Sequence, residues 1–471
     1  MRLLTFALVV GMVLGSVLPA TAGTLTPIDG GAVTATSVLI NGASGDQHDP
    51  HVSGNLAAYT DYSSGLGEIR YYNFSTGVDT AIPKPADSYD FLPDMSGHLI
   101  TFTRVLADRN AIMLFDTSTG VLTELDPRPS NRFRSAVGGQ TVAWVDQSAG
   151  QADIYSYDIS TATVSTVSTQ PFNESLPSVS PDGAAILWQL CFDVATCKPY
   201  KATRSSGGSW SVSAVTSSTD DTVNFTDTDG TTIVYDGINL STGEANVYLV
   251  PQSGGEVMRL ALSASGFEAI PRISSGVISF RNRSPSTSDR LDLFIYVIAT
   301  NMLYQVTNTP AVSESSHDIT VLSNGSIRMV WAANDGATGD LNIHGATFAI
   351  PLSKKTYSWP GFLQPMDDLP AVNSVKAGSA VPVNFSLGDD FGVNIFAPGY
   401  PVSAQIACDT VAPVNAIEAT VTAGSTGLSY DSSTGLYTYI WKTDKSWAGT
   451  CRQLTVKLAD GTLHSANFAY K

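Results

Sequence analysis

Glycine-centred turns recur along this 471-residue chain at Gly54, Gly97, Gly139, Gly183, Gly230, Gly276 and Gly325, 42 to 49 residues apart, each between two apolar runs. A strand-rich unit of that period cannot bury its own hydrophobic face, so successive copies must stack on one another. The architecture to expect is a β-propeller. The unit is clearest at Leu176-Pro177-Ser178-Val179-Ser180-Pro181-Asp182-Gly183-Ala184-Ala185-Ile186-Leu187-Trp188. One short strand ends in Ser-Pro-Asp-Gly and an alternating apolar strand leaves it. Proline presets φ in the turn, and glycine takes the positive φ that closes it.

A second hairpin follows in several units. Asp153-Ile154-Tyr155-Ser156-Tyr157-Asp158 is one example, with Ala111-Ile112-Met113-Leu114-Phe115-Asp116 its counterpart. After the latter, Thr117-Ser118-Thr119-Gly120 turns into Val121-Leu122-Thr123-Glu124-Leu125. Four short antiparallel strands are the content of one blade. The seventh unit runs out near Gly345 to Ile350, and Thr36-Ser37-Val38-Leu39-Ile40 resembles the missing fourth strand. An N-terminal strand in that place would remove the ring's open edge. The expected fold is therefore all-β, with a seven-bladed β-propeller over residues 32–350. The longer spacing of units five to seven leaves six blades and an irregular insert as the alternative.

The chain is 43% hydrophobic and only 14% charged, with 40 Gly and 24 Pro, a mix that suits many tight turns between strands. A net charge of −17 repels phosphates and anionic lipid, which argues against nucleic acid as a partner. Met1-Arg2, the apolar stretch Leu3 to Leu18 and Ala20-Thr21-Ala22 before Gly23 read as a cleaved signal peptide over residues 1–22. No later run is long and apolar enough for a transmembrane segment, so a secreted or periplasmic bacterial protein is expected. Five residues lie between Cys191 and Cys197 and 42 between Cys408 and Cys451. Of the three pairings possible, only the local one keeps each bridge inside one domain, and an oxidising compartment permits it. Chain entropy assigns the longer loop about 4 kcal/mol and the shorter about 2.4 kcal/mol.

Beyond Ile350 the blade turn disappears. Residues 351–365 read as a linker with Trp359-Pro360-Gly361 and Pro365. Residues 366–471 carry alternating runs at Ala380-Val381-Pro382-Val383-Asn384-Phe385-Ser386-Leu387, Leu436-Tyr437-Thr438-Tyr439-Ile440-Trp441 and Gln453-Leu454-Thr455-Val456-Lys457-Leu458. Strict alternation predicts half-buried strands in two packed sheets, a small immunoglobulin-like β-sandwich stapled by Cys408 and Cys451.

The Pro-x-Val-Ser-Pro-Asp-Gly turn with the Asp-Ile-Tyr-x-Tyr-Asp strand resembles the TolB-like, WD40-like propeller repeat. Proteins with that repeat include periplasmic partner-binding proteins, propellers appended to peptidases and some polysaccharide lyases, so the resemblance implies a fold more than a function. Trp359-Pro360-Gly361-Phe362, Val375-Lys376-Ala377-Gly378-Ser379-Ala380-Val381-Pro382-Val383, Trp441-Lys442-Thr443-Asp444 and Trp447-Ala448-Gly449-Thr450-Cys451-Arg452 are similar to a bacterial PxKF-type domain. Asn384 stands where that pattern has its lysine. The resemblance implies an extracytoplasmic location and no chemistry.

Aligning the seven units on the inner-strand turn brings Gln47, Asp90, Arg132, Glu174, Asp221, Glu268 and His317 into one polar column. Two residues later stand Asp49, Leu92, Arg134, Leu176, Val223, Ile270 and Ile319, mostly apolar. Unbroken strand alternation would put both columns on one face. The polar column is therefore expected at the mouth of the central channel, as a collar that binds a cation, a sugar or a peptide. Carboxylates converging there would repel, and a hard cation such as Ca²⁺ would relieve them. The competing account has these side chains bonding neighbouring loops and water, with Arg132 offsetting the acids.

Lyases on related propellers use histidines and a glutamine near the axis. That resemblance makes His48, His51 and His317 the metal candidates, although an i, i+3 spacing would put His48 and His51 on opposite faces of a regular strand. No Gly-x-Ser-x-Gly elbow, Walker loop or dinucleotide fingerprint occurs in the chain. The functional expectation is a non-catalytic binding or scaffold protein, its propeller taking a protein or glycan partner. A metal-dependent, lyase-like carbohydrate-active enzyme and a structural or adhesive surface protein are the alternatives.

Overall fold

The computed structural model describes residues 22–35, 37–193, 196–216, 222–239, 241–262, 267–284, 287–309, 311–335, 339–353, 356–393, 395–397, 399–409, 414, 418–422 and 427–471. The signal sequence expected at residues 1–22 lies outside them save for its last residue. The chain divides into two compact units, one ending at Leu352 and the other starting at Ser353. The first unit is all-β and of the propeller class. Its sheets follow one another along the chain as antiparallel meanders, each a run of strands joined to its sequence neighbours.

Their inner strands are Gln47–Ser53, Tyr89–Ser96, Arg132–Gly138, Asn173–Val179, Thr222–Thr228, Ala269–Ser274 and Glu314–Val321. Each packs against the inner strand before and after it, and the last packs against the first. The hydrophobic core is accordingly divided into wedges between adjacent sheets. Trp188 and Ile186 meet Val145 and Ile154 between the third and fourth, and Tyr235 meets Leu187 between the fourth and fifth. Ile40, Val52, Tyr59 and Val330 fill the wedge where the seventh sheet meets the first.

Hydrogen bonds stitch the same joints. Asp94 Oδ2 accepts from Val137 N at 2.7 Å, Asp227 Oδ2 from Ile273 N at 2.9 Å and Asp318 Oδ2 from Val52 N at 2.8 Å. The last of these joins the seventh sheet to the first. Ser53 Oγ and Ser274 Oγ make equivalent bonds to Gly97 N and Val321 N at 2.8 and 3.0 Å. A bond to a charged acceptor is worth roughly 1.5–3 kcal/mol, so the staples supplement the apolar wedges without replacing them.

The start of the described chain covers the outer edges of the last three sheets. Gly23–Leu25 runs parallel to Met258–Leu260 on the fifth, and Ile28–Ala32 runs parallel to Met302–Gln305 on the sixth. Val38–Asn41 then pairs antiparallel with Asn342–Phe348 as the fourth strand of the seventh sheet. The unit thus uses strands ahead of Ala32, which no alternating pattern announces. Gly30 is required there, because a Cβ would stand 2.5 Å from the Tyr304 ring.

The second unit has two sheets. One runs Phe362–Leu363, Ala380–Phe385, Leu436–Lys442, Val421–Thr422, with Leu428–Asp431 also on Leu436–Lys442. The other runs Val372–Val375, Leu463–Tyr470, Cys451–Lys457, Val402–Ile406, Glu418–Ala419. Phe385, Tyr437 and Trp441 of the first sheet share one core with Leu454, Val456 and Phe468 of the second. Both disulfides form, Cys191–Cys197 and Cys408–Cys451. The second, the expected staple of this unit, acts within one sheet. Ile406 pairs with Cys451 in one ladder, so the bridge ties neighbouring strands of the same sheet.

Candidate functional site

Every inner strand of the propeller carries a register shift: His48/His51, Phe91/Asp94, Phe133/Ala136, Ser175/Ser178, Val223/Thr226, Ala269/Arg272 and Glu314/His317. In five of them a non-glycine residue adopts positive φ at the shift, namely Asp49, Leu92, Arg134, Leu176 and Ile270, at 50–55°. Proline follows four of these five, and a residue without an N–H is tolerated inside a sheet chiefly at such bulges. The bulge pushes its first residue toward the axis and interrupts the alternation. In the first four units and the sixth, this is why the two sequence columns differ in polarity without sharing a face; in the seventh the shift precedes His317, which lies in unbroken register with Ile319.

The consequence for the polar column is burial. Gln47, Asp90, Arg132 and Glu174 are fully buried and Glu268 and His317 are 1% exposed, so they do not form a solvent-facing collar. None lines the axial cavity. Asp221 lies outside the described residues. Gln47 Nε2 donates to the carbonyls of Ala43 and Gly45 at 3.2 and 2.6 Å. Asp90 receives a bidentate Arg104, Nε at 2.8 Å and Nη2 at 2.7 Å. Arg132 caps the carbonyls of Leu125 and Arg128 at 2.8 and 2.7 Å. Glu174 accepts from Ser168 Oγ, Trp188 Nε1 and Ile154 N at 2.5, 3.0 and 3.1 Å. Gln47 and Arg132 thus pin the loops that lead into their inner strands, while Asp90 and Glu174 tie theirs to neighbouring strands.

Their ionisation follows burial. Desolvation pushes Glu174 up to about 7 against its three donors, and Glu268 up to about 7 against the pull of Arg259. It raises Asp90 despite Arg104 and lowers Arg132. His317 is pushed down to about 3, first by burial and then by the charges of Arg272 and Arg281.

The axis itself is an open cavity of ≈ 700 Å³, lined by the bulges and the inner-strand halves that follow them. Asp49, Leu92, Arg134 and Leu176 project at the bulge level, and His51, Asp94, Asp227, Arg272 and Asp318 lie beyond. His51 Nδ1 stands 3.0 Å from Asp94 Oδ1 and 3.5 Å from Asp318 Oδ2. Burial opposes its charge, but the two carboxylates outweigh burial and push it up to about 10, while Asp318 is held below the usual carboxylate range. Burial raises Asp227 to about 7 against Arg272. The cavity therefore offers both signs of charge on a rigid wall. The three axial aspartates are already committed to the staples, whereas Asp49 and Arg134 have no side-chain bond among the described residues.

The three candidate histidines occupy separate surroundings. The shift gives His48 and His51 ladder partners two residues apart, Thr60 and Ala58, which places them on one strand face after all. Yet His48 lies 3.8 Å from Asp46 with its ring edge-on to Tyr62, while His51 belongs to Asp94 and Asp318. His317 is buried away from the cavity. Among the described residues no group of three or more His, Cys, Asp or Glu is arranged to hold a metal ion. Among the axial residues, Asp94 and Arg272 escape the sequence reading. Their signal is a charged residue just past the turn-proximal shift, where Ala136 and Ser178 stand in other units.

No protein-family model and no curated protein matches this sequence. Solved structures do resemble it. A TolB from Acinetobacter baumannii is 17% identical over 46% of this chain with a TM-score of 0.35, and the chain spans 57% of that protein's length. The propeller domain of the trilobed protease of Pyrococcus furiosus is 13% identical over 64% of this chain and 94% of its own, with a TM-score of 0.49. An oligogalacturonate lyase in complex with manganese is 10% identical over 70% and 97%, with a TM-score of 0.48. Similarity this low carries no chemistry from one protein to the other.

Proposed function

We propose that this chain is a non-catalytic binding protein that takes a charged or polar segment of a partner in the axial cavity of its propeller. The observation that supports the reading is the division of labour in that cavity. Asp94, Asp227 and Asp318 are each bonded to the backbone of the next inner strand, and His51 is held protonated at neutral pH. A general base must be free to take up a proton, and His51, held protonated between two carboxylates, is not. Asp49 and Arg134 remain available for recognition on a preorganised wall, the arrangement that favours binding. The partner is a protein or glycan segment, and a hard cation such as Ca²⁺ belongs to the same test.

We place the protein outside the cytoplasm, as a secreted or periplasmic product. Two closed disulfides support an oxidising compartment. We read the C-terminal unit as the PxKF-type, immunoglobulin-like module its motifs resemble. Asn384 supports a structural role for the variant position: its amide donates to Gln364 O at 2.7 Å and its oxygen accepts from Thr438 Oγ1 at 2.9 Å.

The test uses the mature chain as bait against envelope and culture-medium extracts, with Ca²⁺ or with EDTA, beside an Asp49→Ala/Arg134→Ala variant. The expected result is a specific ligand retained by the wild type and lost by the variant, with the melting temperature unchanged. Equal retention by both baits would refute the axial site.

A further inference from the structure

Outside the axial channel, between the fourth and fifth sheets, lies a second open cleft of ≈ 640 Å³. Phe172 and Phe192 stand on its rim, 37% and 39% exposed, their ring centroids 4.9 Å apart in an edge-on pair. Nothing in the sheet packing requires two large rings from separate loops to share one patch of solvent, and a contiguous exposed aromatic pair marks a contact surface. The pair is also held in place. Phe172 directly precedes the inner strand Asn173–Val179, and Phe192 sits in the hairpin closed by Cys191–Cys197. There Phe192 N donates to Thr196 O at 2.9 Å, and Cys197 N donates to Thr222 Oγ1 at 2.8 Å. The bridge thus fixes one aromatic wall of the cleft.

Among the described residues, the rest of the lining is mainly polar and carries no free charge. The Gln189 carboxamide is spent, donating to Val223 O at 2.9 Å and accepting from Ser175 Oγ at 2.7 Å. Asp193 accepts from Thr196 N at 2.7 Å. The carboxamides of Asn173 and Asn224, by contrast, make no side-chain hydrogen bond among the described residues and face the cleft. A carboxamide presents a donor and an acceptor side by side, which matches a pair of neighbouring hydroxyls.

We propose that this cleft binds a neutral saccharide, with a sugar's C–H face against the phenylalanine pair and its hydroxyls on Asn173 and Asn224. A peptide laid as an added strand would need an open sheet edge, and the walls here are side chains. The ligand is neutral because, among the described lining residues, no charge lacks a partner within the protein.

The test is affinity electrophoresis of the full mature chain through gels containing hydroxyethyl cellulose, xylan, galactomannan or dextran, followed by titration calorimetry with the polysaccharide that retards it. Retardation in at least one gel is expected. A Phe172→Ala/Phe192→Ala variant should lose about tenfold or more in affinity, equivalent to one factor of ten in Kd. Both rings are more than a third exposed, so its melting temperature should fall by no more than a few degrees, and Asn224→Ala offers a second, smaller loss of affinity. No retardation in any gel, or equal retardation of the double variant, would overturn the proposal. So would selection of peptides from a random library whose binding the double variant abolishes, which would assign the cleft to a peptide. The Asp49→Ala/Arg134→Ala variant should keep saccharide binding, so failure here and failure of the axial reading are distinguishable.

Discussion

The first four sheets of the propeller and the last three begin alike and end differently. All seven inner strands are bulged and packed on their neighbours. In the first four sheets the outermost strands, Val78–Ala81, Val121–Leu125, Thr163–Ser168 and Trp210–Ala214, are edges. In the fifth and sixth, Gly23–Leu25 and Ile28–Ala32 add a fifth strand over the corresponding position, and in the seventh Val38–Asn41 is itself the fourth strand. The open edges are short; the first two carry charge, with Asp79 bonded to Arg70 and Glu124 to Arg109, and the other two are rich in Ser and Thr. Such edges resist strand addition without any cover. Covering an edge is therefore not what this unit needs to fold. The N-terminal segment acts instead as a clasp that spans the seam between the chain's last sheet and its first.

Cutting that clasp should have the largest effect. Removal of residues 23–41 takes the fourth strand from the seventh sheet and Ile40 from the seam wedge, and is expected to lower the melting temperature by about 10 °C or to prevent folding. Removal of residues 23–35 alone leaves Val38–Asn41 in place and should cost only a few degrees. Equal losses from the two truncations, measured by circular dichroism, would mean that the edge strands matter as much as the seam strand, and the comparison would fail.

Next in size is a pair of staples. Asp318→Ala frees Val52 N at the seam, and Asp94→Ala frees Val137 N between the second and third sheets. Each also removes one of the two carboxylates holding His51. The chemistry is the same, so each should cost about 2–3 kcal/mol in denaturant unfolding. A much larger loss for Asp318→Ala would identify the seam as the weakest joint, and a much smaller one would show the clasp already carries it.

What the sequence disclosed follows the same division. The all-β propeller class was legible because turn glycines and period-two runs are local signals that survive drift. The strand Val38–Asn41 was legible because it copies the fourth strands elsewhere. Gly23–Leu25 and Ile28–Ala32 were not, since Gly30 and Gly31 break any alternation and parallel pairing on a distant edge leaves no local mark. The polar column was visible, but its burial was not. Whether Arg132 or Gln47 faces water depends on carbonyls of the preceding loop, and Asp90 depends on Arg104 in the neighbouring strand. The missed clue was proline. Pro50, Pro93, Pro177 and Pro271 stand inside strands, where a residue without an N–H announces a bulge. Reading them so would have moved attention from the buried column to the axial residues beyond it.

The smallest expected effect is a pH dependence, and it separates those same two sets of residues. Glu174, Asp227, Glu268 and Glu314 are all pushed up to about 7 by burial. Between roughly pH 4.5 and 7 the folded chain therefore holds protons that the unfolded chain has lost, so stability rises as pH falls through that window. His51 acts in the same sense: its contribution is complete below pH 6.5 and fades as pH rises toward about 10. His317, pushed down to about 3, opposes them, because the unfolded chain gains a proton below pH 6.5 that the buried ring refuses. Four carboxyl groups and His51 outnumber it, so the melting temperature should be higher at pH 5.5 than at pH 8. Below about pH 4 the depressed Asp318 and Asp158 must be protonated and the gain reverses. Glu268→Gln isolates one term from the buried column. Among the described residues its Oε1 has no hydrogen-bond partner and no staple depends on it, so the variant should gain a few degrees at pH 8 and almost nothing at pH 5. A uniform gain at both values would tie the effect to packing rather than to charge, and the buried column would then have no part in the pH response.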